Sequence, residues 1–231
     1  LTPVLIDVEP DTFNIDIDAL KKAITPKTKA IVPVHLFGLC ANMEAVMSIA
    51  KEHNLFVIED TAQAIGASYT FADGRKQKVG TIGHVGTTSF FPSKNLGCYG
   101  DGGAIFTNDD ALAHTIRGMV NHGMYKRYYH DVVGVNSRLD SIQAAVLKTK
   151  LPLLDEYCDA RRDAARYYNN AFAQNSNIST PTTKSNATAN CGEICDSCDC
   201  HVFHQYTLKI TNGKRNELHQ HLLDKGIPNA I

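Results

Sequence analysis

The run Leu55-Phe56-Val57-Ile58, closed by Glu59-Asp60, limits what this chain can fold into more than any other segment. It is short, continuous and apolar, and it reads as a strand. Residues 4–8 (Val-Leu-Ile-Asp-Val) and the Ala-Ile-Val-Pro-Val within residues 29–35 read the same way. Helical patterns lie between these runs. Asp16 is placed to cap a helix with apolar residues Ile17, Leu20 and Ile24, and Asn42 one with Met43, Val46, Met47 and Ala50. Apolar strands separated by helices predict an α/β fold with a mostly parallel sheet, buried on both faces and flanked by helices. Ligands of such sheets sit beyond the carboxyl ends of the strands, and Asp60 lies at one such end.

The rest of the chain changes character twice. Residues 66–108 are rich in glycine and β-formers and predict short strands over 86–91 and 103–107. A helix is expected over 109–120. A longer helical stretch starts at Ser137 or Asp140, and Pro152 should restart or kink it before a polar, tyrosine-bearing helix over 155–174. At Asn175 the composition turns to Ser, Thr and Asn with cysteines, which predicts a loop or insertion over 175–200. Residues 202–210 alternate like a strand, and residues 216–225 read as a helix that Gly226 ends. Residues 3–9 already look like a buried strand, and the chain stops as another extended stretch begins, so both ends read as cut.

The totals exclude some partners. The 231 residues carry 23 Lys+Arg against 24 Asp+Glu, a formal net charge of −1. That balance gives no electrostatic reason to expect nucleic acid or an anionic membrane surface. No apolar run approaches the roughly 20 residues that span a bilayer. Scattered cysteines (Cys40, Cys98, Cys158) fit a reducing compartment, with the cytoplasm as the expectation.

Three short pieces could carry chemistry: Glu59-Asp60-Thr61-Ala62-Gln63-Ala64, Ser89-Phe90-Phe91-Pro92-Ser93-Lys94-Asn95-Leu96, and Gly100-Asp101-Gly102-Gly103. An acid at a strand end is often only a helix cap, and a lysine in a polar turn is usually a solvated one. Together they fit the needs of a pyridoxal cofactor. Such a cofactor takes a lysine for a Schiff base, a carboxylate opposite its ring nitrogen, and hydroxyls or amides around its phosphate. Lys94, Asp60 and Ser89 could supply these parts.

The lysine segment, Ser-Phe-Phe-Pro-Ser-Lys-Asn-Leu-Gly-Cys-Tyr-Gly-Asp-Gly-Gly, resembles that of the DegT/StrS-type sugar aminotransferases. So do Pro33-Val34-His35-Leu36-Phe37-Gly38, the Glu59–Ala64 hexapeptide, Gly134-Val135-Asn136-Ser137-Arg138-Leu139 and His204-Gln205-Tyr206, in the family's order. The resemblance implies fold type I of the pyridoxal-phosphate enzymes, in a homodimer with shared active sites. It implies amino transfer from glutamate to a nucleotide-linked keto-sugar, with a UDP-linked 3-keto sugar for surface polysaccharide as the narrower expectation. By position, Lys94 is the lysine that carries pyridoxal 5'-phosphate and moves the proton. Asp60 pairs with the ring nitrogen, Gln63 lies against the ring or its hydroxyl, and Ser89 holds the phosphate. Asn136 would reach the phosphate of the partner subunit's cofactor.

The expected domains are 1–135, a large cofactor-binding unit without its N-terminal part; 136–174, connecting helices; and 175–231, part of a small α+β unit with a Cys-rich insertion at 190–200. The family commonly has Glu where Asp101 stands, and its N-terminal Gly-Thr phosphate loop has no counterpart here. Lys94 separates the chain from relatives with histidine there, which are dehydratases.

Cys191, Cys195, Cys198 and Cys200, with His201 and His204 close behind, could hold a structural zinc or form an exposed, redox-sensitive loop. The reading here is no metal. His35 and His122 read as packed rather than catalytic. Arg138 could contact a substrate phosphate or brace an interface. Two other functions stand beside the aminotransferase: a non-catalytic relative acting as a regulator, and a metal-binding module built on the cysteines.

Overall fold

Both predicted N-caps form. The Asp16 side chain accepts hydrogen bonds from the Asp18 and Ala19 amides at the head of helix α1 (Ile17–Ala23). Strand β1 (Ala30–Ile31) follows, and then Asn42 accepts from the Ala45 amide to start α2 (Met43–Glu52). Each cap satisfies amides that a helix start leaves unpaired. The apolar run becomes β2 (Phe56–Asp60), and a hairpin of β3 (Ser68–Thr70) and β4 (Lys76–Lys78) leads to β5 (Val85–Ser89) and β6 (Gly103–Phe106). The computed structural model describes residues 1–182 and 199–231.

The central sheet has the order β1-β2-β5-β6. Its first three strands run parallel and β6 is antiparallel to β5, so the α/β expectation holds with an antiparallel edge. Burial follows the pleat. Val57, Glu59, Gly86 and Thr88 lie on one face and are buried, beneath the Met43, Val46, Ile49 and Ala50 side of α2.

The opposite face corrects the expectation of two buried faces. Phe56 is 56% exposed; Val34, opposite Asp60, is 38% exposed; Ile105, opposite Thr87, is 47% exposed. Helix α2 packs on β1 and β2, with α1 against α2, so this helical layer lies on one side of the sheet.

Helix α3 (Asp110–Val120), capped by Asp109, leads into the hairpin β7 (Met124–Lys126) and β8 (Tyr129–His130). Helix α4 (Ser141–Lys150) and α5 (Leu154–Phe172) meet at a 3-10 turn containing Pro152, the predicted break. The two short strands β9 (Ile178–Ser179) and β10 (Lys209–Ile210) pair antiparallel, and α6 (Arg215–Asp224) ends before Gly226 at φ +73°.

One predicted strand is absent and another is cut short. Residues 4–8 make only a bridge from Val8 to Ile15, and Leu5 is 94% exposed. The chain folds back on itself there, through bonds from the Glu9 amide to Asn14 and the Asp16 amide to Asp7, and so joins no sheet. Within 202–210 only β10 is a strand. Its alternation is broken by Phe203 at φ +44°, a left-handed conformation that an extended strand cannot contain. Instead, residues 200–205 form a strap along the segment after β1. Cys40 donates to the Cys200 carbonyl, Val202 to Gly38 and Gln205 to Phe37.

One buried carboxylate holds the layers in register. Glu59 is 0% exposed. Its Oε2 accepts from His35 Nε2 at 3.0 Å and the Gly80 amide at 2.8 Å; its Oε1 accepts from the Ile82 and Gly83 amides at 2.7 and 2.6 Å. The Ala41 amide donates to His35 Nδ1 at 3.0 Å, so the ring proton sits on Nε2 and the imidazole is neutral. Gly86 lies opposite Glu59, and a Cβ there would collide with the Gly80 carbonyl, so glycine lets the Gly80 turn come close enough to donate. Burial alone would raise the Glu59 pKa. The bonds from His35, Gly83 and Gly80 outweigh it and hold the carboxyl below its ordinary 4.5.

A folded pKa below the unfolded one stabilises fully above the ordinary value and is lost as pH falls through the folded one. Glu59→Ala should therefore lower stability by about 3 kcal/mol or more in urea unfolding near neutral pH, since hydrogen bonds to a charged group contribute roughly 1.5–3 kcal/mol each. The gap between variant and wild type should shrink as pH drops below 4.5. An unchanged urea midpoint would show that Glu59 carries no such load.

Candidate active site

Four of the five expected residues lie at or shortly after the carboxyl ends of two adjacent parallel strands, Asp60 and Gln63 at β2 and Ser89 and Lys94 at β5. Asp60 ends β2. Its backbone is fixed on both sides, by His35 donating to its carbonyl at 3.0 Å and its own amide donating to Pro33 at 2.9 Å. Asp60 Oδ1 accepts the Ala62 amide at 2.9 Å, which orients the carboxylate and leaves Oδ2 for another partner. Thr87 stands opposite Asp60, and Ser89, two residues on, shares that face at the end of β5. Ser89 Oγ accepts the Phe91 amide at 3.2 Å.

Lys94, half-buried, lies in the turn that follows. Its amide donates to Phe91 at 2.8 Å, and Cys98 closes the loop onto Phe90 at 2.8 Å. Helix α4 grips the same loop: Lys150 Nζ donates to the Gly97 carbonyl at 2.7 Å and Gln143 accepts the Tyr99 amide at 2.8 Å. Gln63 sits in the turn after β2. Its Oε1 accepts the Phe37 amide at 2.6 Å, so its NH₂ group is the end left to donate elsewhere.

Asn136 is placed differently. It is exposed, bridges to Asn121, and its Oδ1 accepts from Arg138 Nε at 3.0 Å. None of these contacts is with Asp60, Gln63, Ser89 or Lys94. Arg138 thus braces Asn136 within this chain.

The strap passes beside the Gln63 turn. A Cβ on Gly38 (φ +103°) would lie 3.0 Å from the His204 amide nitrogen and 3.1 Å from the Gln63 carbonyl, so three segments meet at a residue with no room for a side chain. His204 Nδ1 lies 3.2 Å from Asn95 Oδ1, beside Lys94 in sequence. Burial, then the Lys94 and Arg161 cations, push the His204 pKa down to about 4. Nothing in the local pattern singles out Asn95, and His204 stands in the sequence only as part of a family-like motif or as a zinc-ligand candidate. Side-chain direction across 109 positions of separation is not written in local pattern. Cys191, Cys195 and Cys198 lie outside the described residues, while Cys200 is buried on the strap.

His201, also buried on the strap, accepts the Phe203 amide at Nδ1 (3.0 Å). Burial drives its pKa down to about 3, against the raising effect of a bond with Gly38. The unfolded chain then binds a proton near 6.5 that the folded chain refuses until about 3. Stability from His201 is therefore complete above 6.5 and declines as pH falls through that window, by up to about 1.4 kcal/mol per unit. His201→Asn should flatten the fall of melting temperature between pH 6.5 and 4; an identical slope in the variant would remove His201 from the account.

A mixed, mostly parallel sheet with an acid at the end of one strand and a lysine turn after its neighbour defines an α/β protein of the fold-type I class. The chain belongs to the DegT/DnrJ/EryC1/StrS aminotransferase family, whose model matches residues 1–231. It is 47% identical over 229 residues to a pleiotropic regulatory protein of Geobacillus stearothermophilus, covering 99% of this chain and 57% of that protein. It is 44% identical over 229 residues to the UDP-2-acetamido-2-deoxy-3-oxo-D-glucuronate aminotransferase of Pseudomonas aeruginosa, covering 99% and 58%. The NtdA structure from Bacillus subtilis, solved with its cofactor PMP bound, superposes with a TM-score of 0.80 at 29% identity, over 96% of this chain and 47% of that one. The chain thus spans little more than half the length of the curated relatives it matches.

Proposed function

We propose that this chain carries the cofactor-binding part of a pyridoxal-phosphate-dependent aminotransferase that moves an amino group from glutamate to a nucleotide-linked keto-sugar. The observation that supports this reading is the register that sets Asp60 and Ser89 on one face of the paired strands β2 and β5, with Gln63 and Lys94 in the turns that follow those strands. The donor set fits the cofactor. Asp60 has an oxygen left to face a protonated ring nitrogen, Gln63 an NH₂ group for a ring hydroxyl, and Ser89 a hydroxyl for a phosphate.

When bound, pyridoxal phosphate supplies an electron sink for negative charge at the carbon that bears the amino group. Asp60 holds the proton on the ring nitrogen that makes the sink effective. The Lys94 amine, once neutral, takes the proton from the donor's α-carbon. Its attachment to a loop clamped by α4 keeps that amine from wandering. Thr61 and Thr87 support the sheet end, with Thr61 Oγ1 donating to the Thr87 carbonyl at 2.8 Å and Thr87 Oγ1 to that of Glu59 at 3.1 Å.

The finer parts of the reading belong to the same proposal. They include a UDP-linked sugar for surface polysaccharide, supported by the name of the Pseudomonas relative, and a cytoplasmic setting. No helix among the described residues is long and apolar enough to cross a membrane. Asn136, exposed and braced by Arg138 away from the other four, is assigned to the partner subunit's cofactor in a homodimer. The division into a cofactor-binding unit (1–135), connecting helices (136–174) and part of a small unit (175–231) completes it. A second reading, a regulator, is favoured by the name of the Geobacillus relative, a pleiotropic regulatory protein.

An absorbance spectrum of the full-length protein with pyridoxal phosphate, before and after borohydride, separates the two. The aminotransferase should show a visible band that borohydride fixes on Lys94, that glutamate bleaches, and that Lys94→Ala lacks. No band in correctly folded protein would sink the enzyme and leave the regulator.

A further inference from the structure

Asn95 directly follows Lys94, is buried, and uses both ends of its amide. Its Nδ2 donates to the Val202 carbonyl at 3.4 Å, so Oδ1 is the acceptor facing His204 Nδ1 at 3.2 Å. That arrangement fixes the imidazole proton on Nδ1.

His204 is itself held from several directions. Arg161 Nη1 donates to the Phe203 and His204 carbonyls at 3.2 and 3.4 Å. Phe203 takes a left-handed backbone (φ +44°), a conformation that persists in a non-glycine residue only when its surroundings impose it. Its ring stacks on His201 at 3.8 Å, and the strap pairs along residues 37–40. A strained residue, an arginine on two successive carbonyls and a backbone ladder all fix the position of one side chain, which hydrogen-bonds the neighbour of Lys94. A packing role alone needs neither the ring proton nor the arginine.

We infer that His204 is a positioning residue for Lys94, acting through Asn95: its neutral imidazole fixes the turn that presents the lysine amine and ties that turn to the strap. The inference rests on the proposed role of Lys94. It makes correct presentation of the lysine depend on a segment more than 100 residues away, so the lysine loop is finished only when the strap is seated.

The test uses the full-length protein and two variants. His204→Phe keeps a ring and removes the donor, and His204→Gln restores an amide donor. The first readout needs no cofactor: amide hydrogen exchange in the cofactor-free protein. His204→Phe should speed exchange at residues 91–98 by about tenfold while leaving residues 56–60 unchanged, and His204→Gln should recover most of the protection. In the loaded enzyme, His204→Phe should lower kcat about tenfold with KM for the amino donor within about twofold, the mark of a misplaced reacting group. Unchanged exchange at 91–98, or an equal rise at 56–60, overturns the inference by showing no role or only a general loss of stability. If His204→Phe does not fold, His204→Ala takes its place with the same outcomes: faster exchange confined to 91–98 that His204→Gln recovers supports the device, and unchanged exchange there or an equal rise at 56–60 overturns it. A missing visible band in the unmodified protein would instead remove the aminotransferase reading, and the exchange result on the loop would still stand.

Discussion

The buried Glu59 carboxylate is the contact on which the rest of the architecture depends. A charge without solvent is tolerable only if its lone pairs are met, and here three backbone amides and one imidazole meet them. Those donors come from separate stretches of chain. His35 belongs to the segment after β1, and Gly80, Ile82 and Gly83 to the turn before β5. The carboxylate therefore gathers three neighbouring strands at the level where the next residue, Asp60, turns toward the opposite face. The register that places Asp60 beside Thr87, with Ser89 just beyond, follows from this knot.

The division of labour between the two sheet faces has a simple cause. Successive side chains on a strand point to opposite sides. Glu59 and Asp60 are adjacent acids with opposite surroundings, one buried among donors and the other on the open face with one oxygen bonded to the Ala62 amide. The period-two pleat lets a single dipeptide serve both faces of the sheet.

Much of this was legible in the residues. The caps at Asp16 and Asn42 were readable because capping is a local contest for a few amides. The break at Pro152 and the stop at Gly226 were readable for the same reason. The placement of Asp60 and Ser89 at neighbouring strand ends was readable because both lie within one unit of consecutive elements. What was not legible depends on distant chain. The strand expected over 202–210 fails at Phe203, whose backbone is set by the strap's partners and not by its neighbours. The exposed face of Phe56 and Val34 could not be told from a buried one, because an apolar run carries no record of which side is covered. The partnership of His35 with Glu59 was hidden because a histidine in an apolar stretch looks alike whether or not it is bonded.

Gly38 carries a different kind of information. Around it the Gln63 turn, Val202 and the backbone of His204 approach within about one atom's width of where a side chain would begin. Polar residues around the site can often be exchanged for near neighbours in shape, because solvent or a shifted rotamer absorbs the difference. A backbone junction of this kind has no such slack, and its positive φ removes the conformational remedy as well. The chain thus has a position where any side chain is strained by the backbone and crowded by its neighbours, although its residue has no functional group at all. A catalogue of essential residues drawn up by chemistry alone would leave it out.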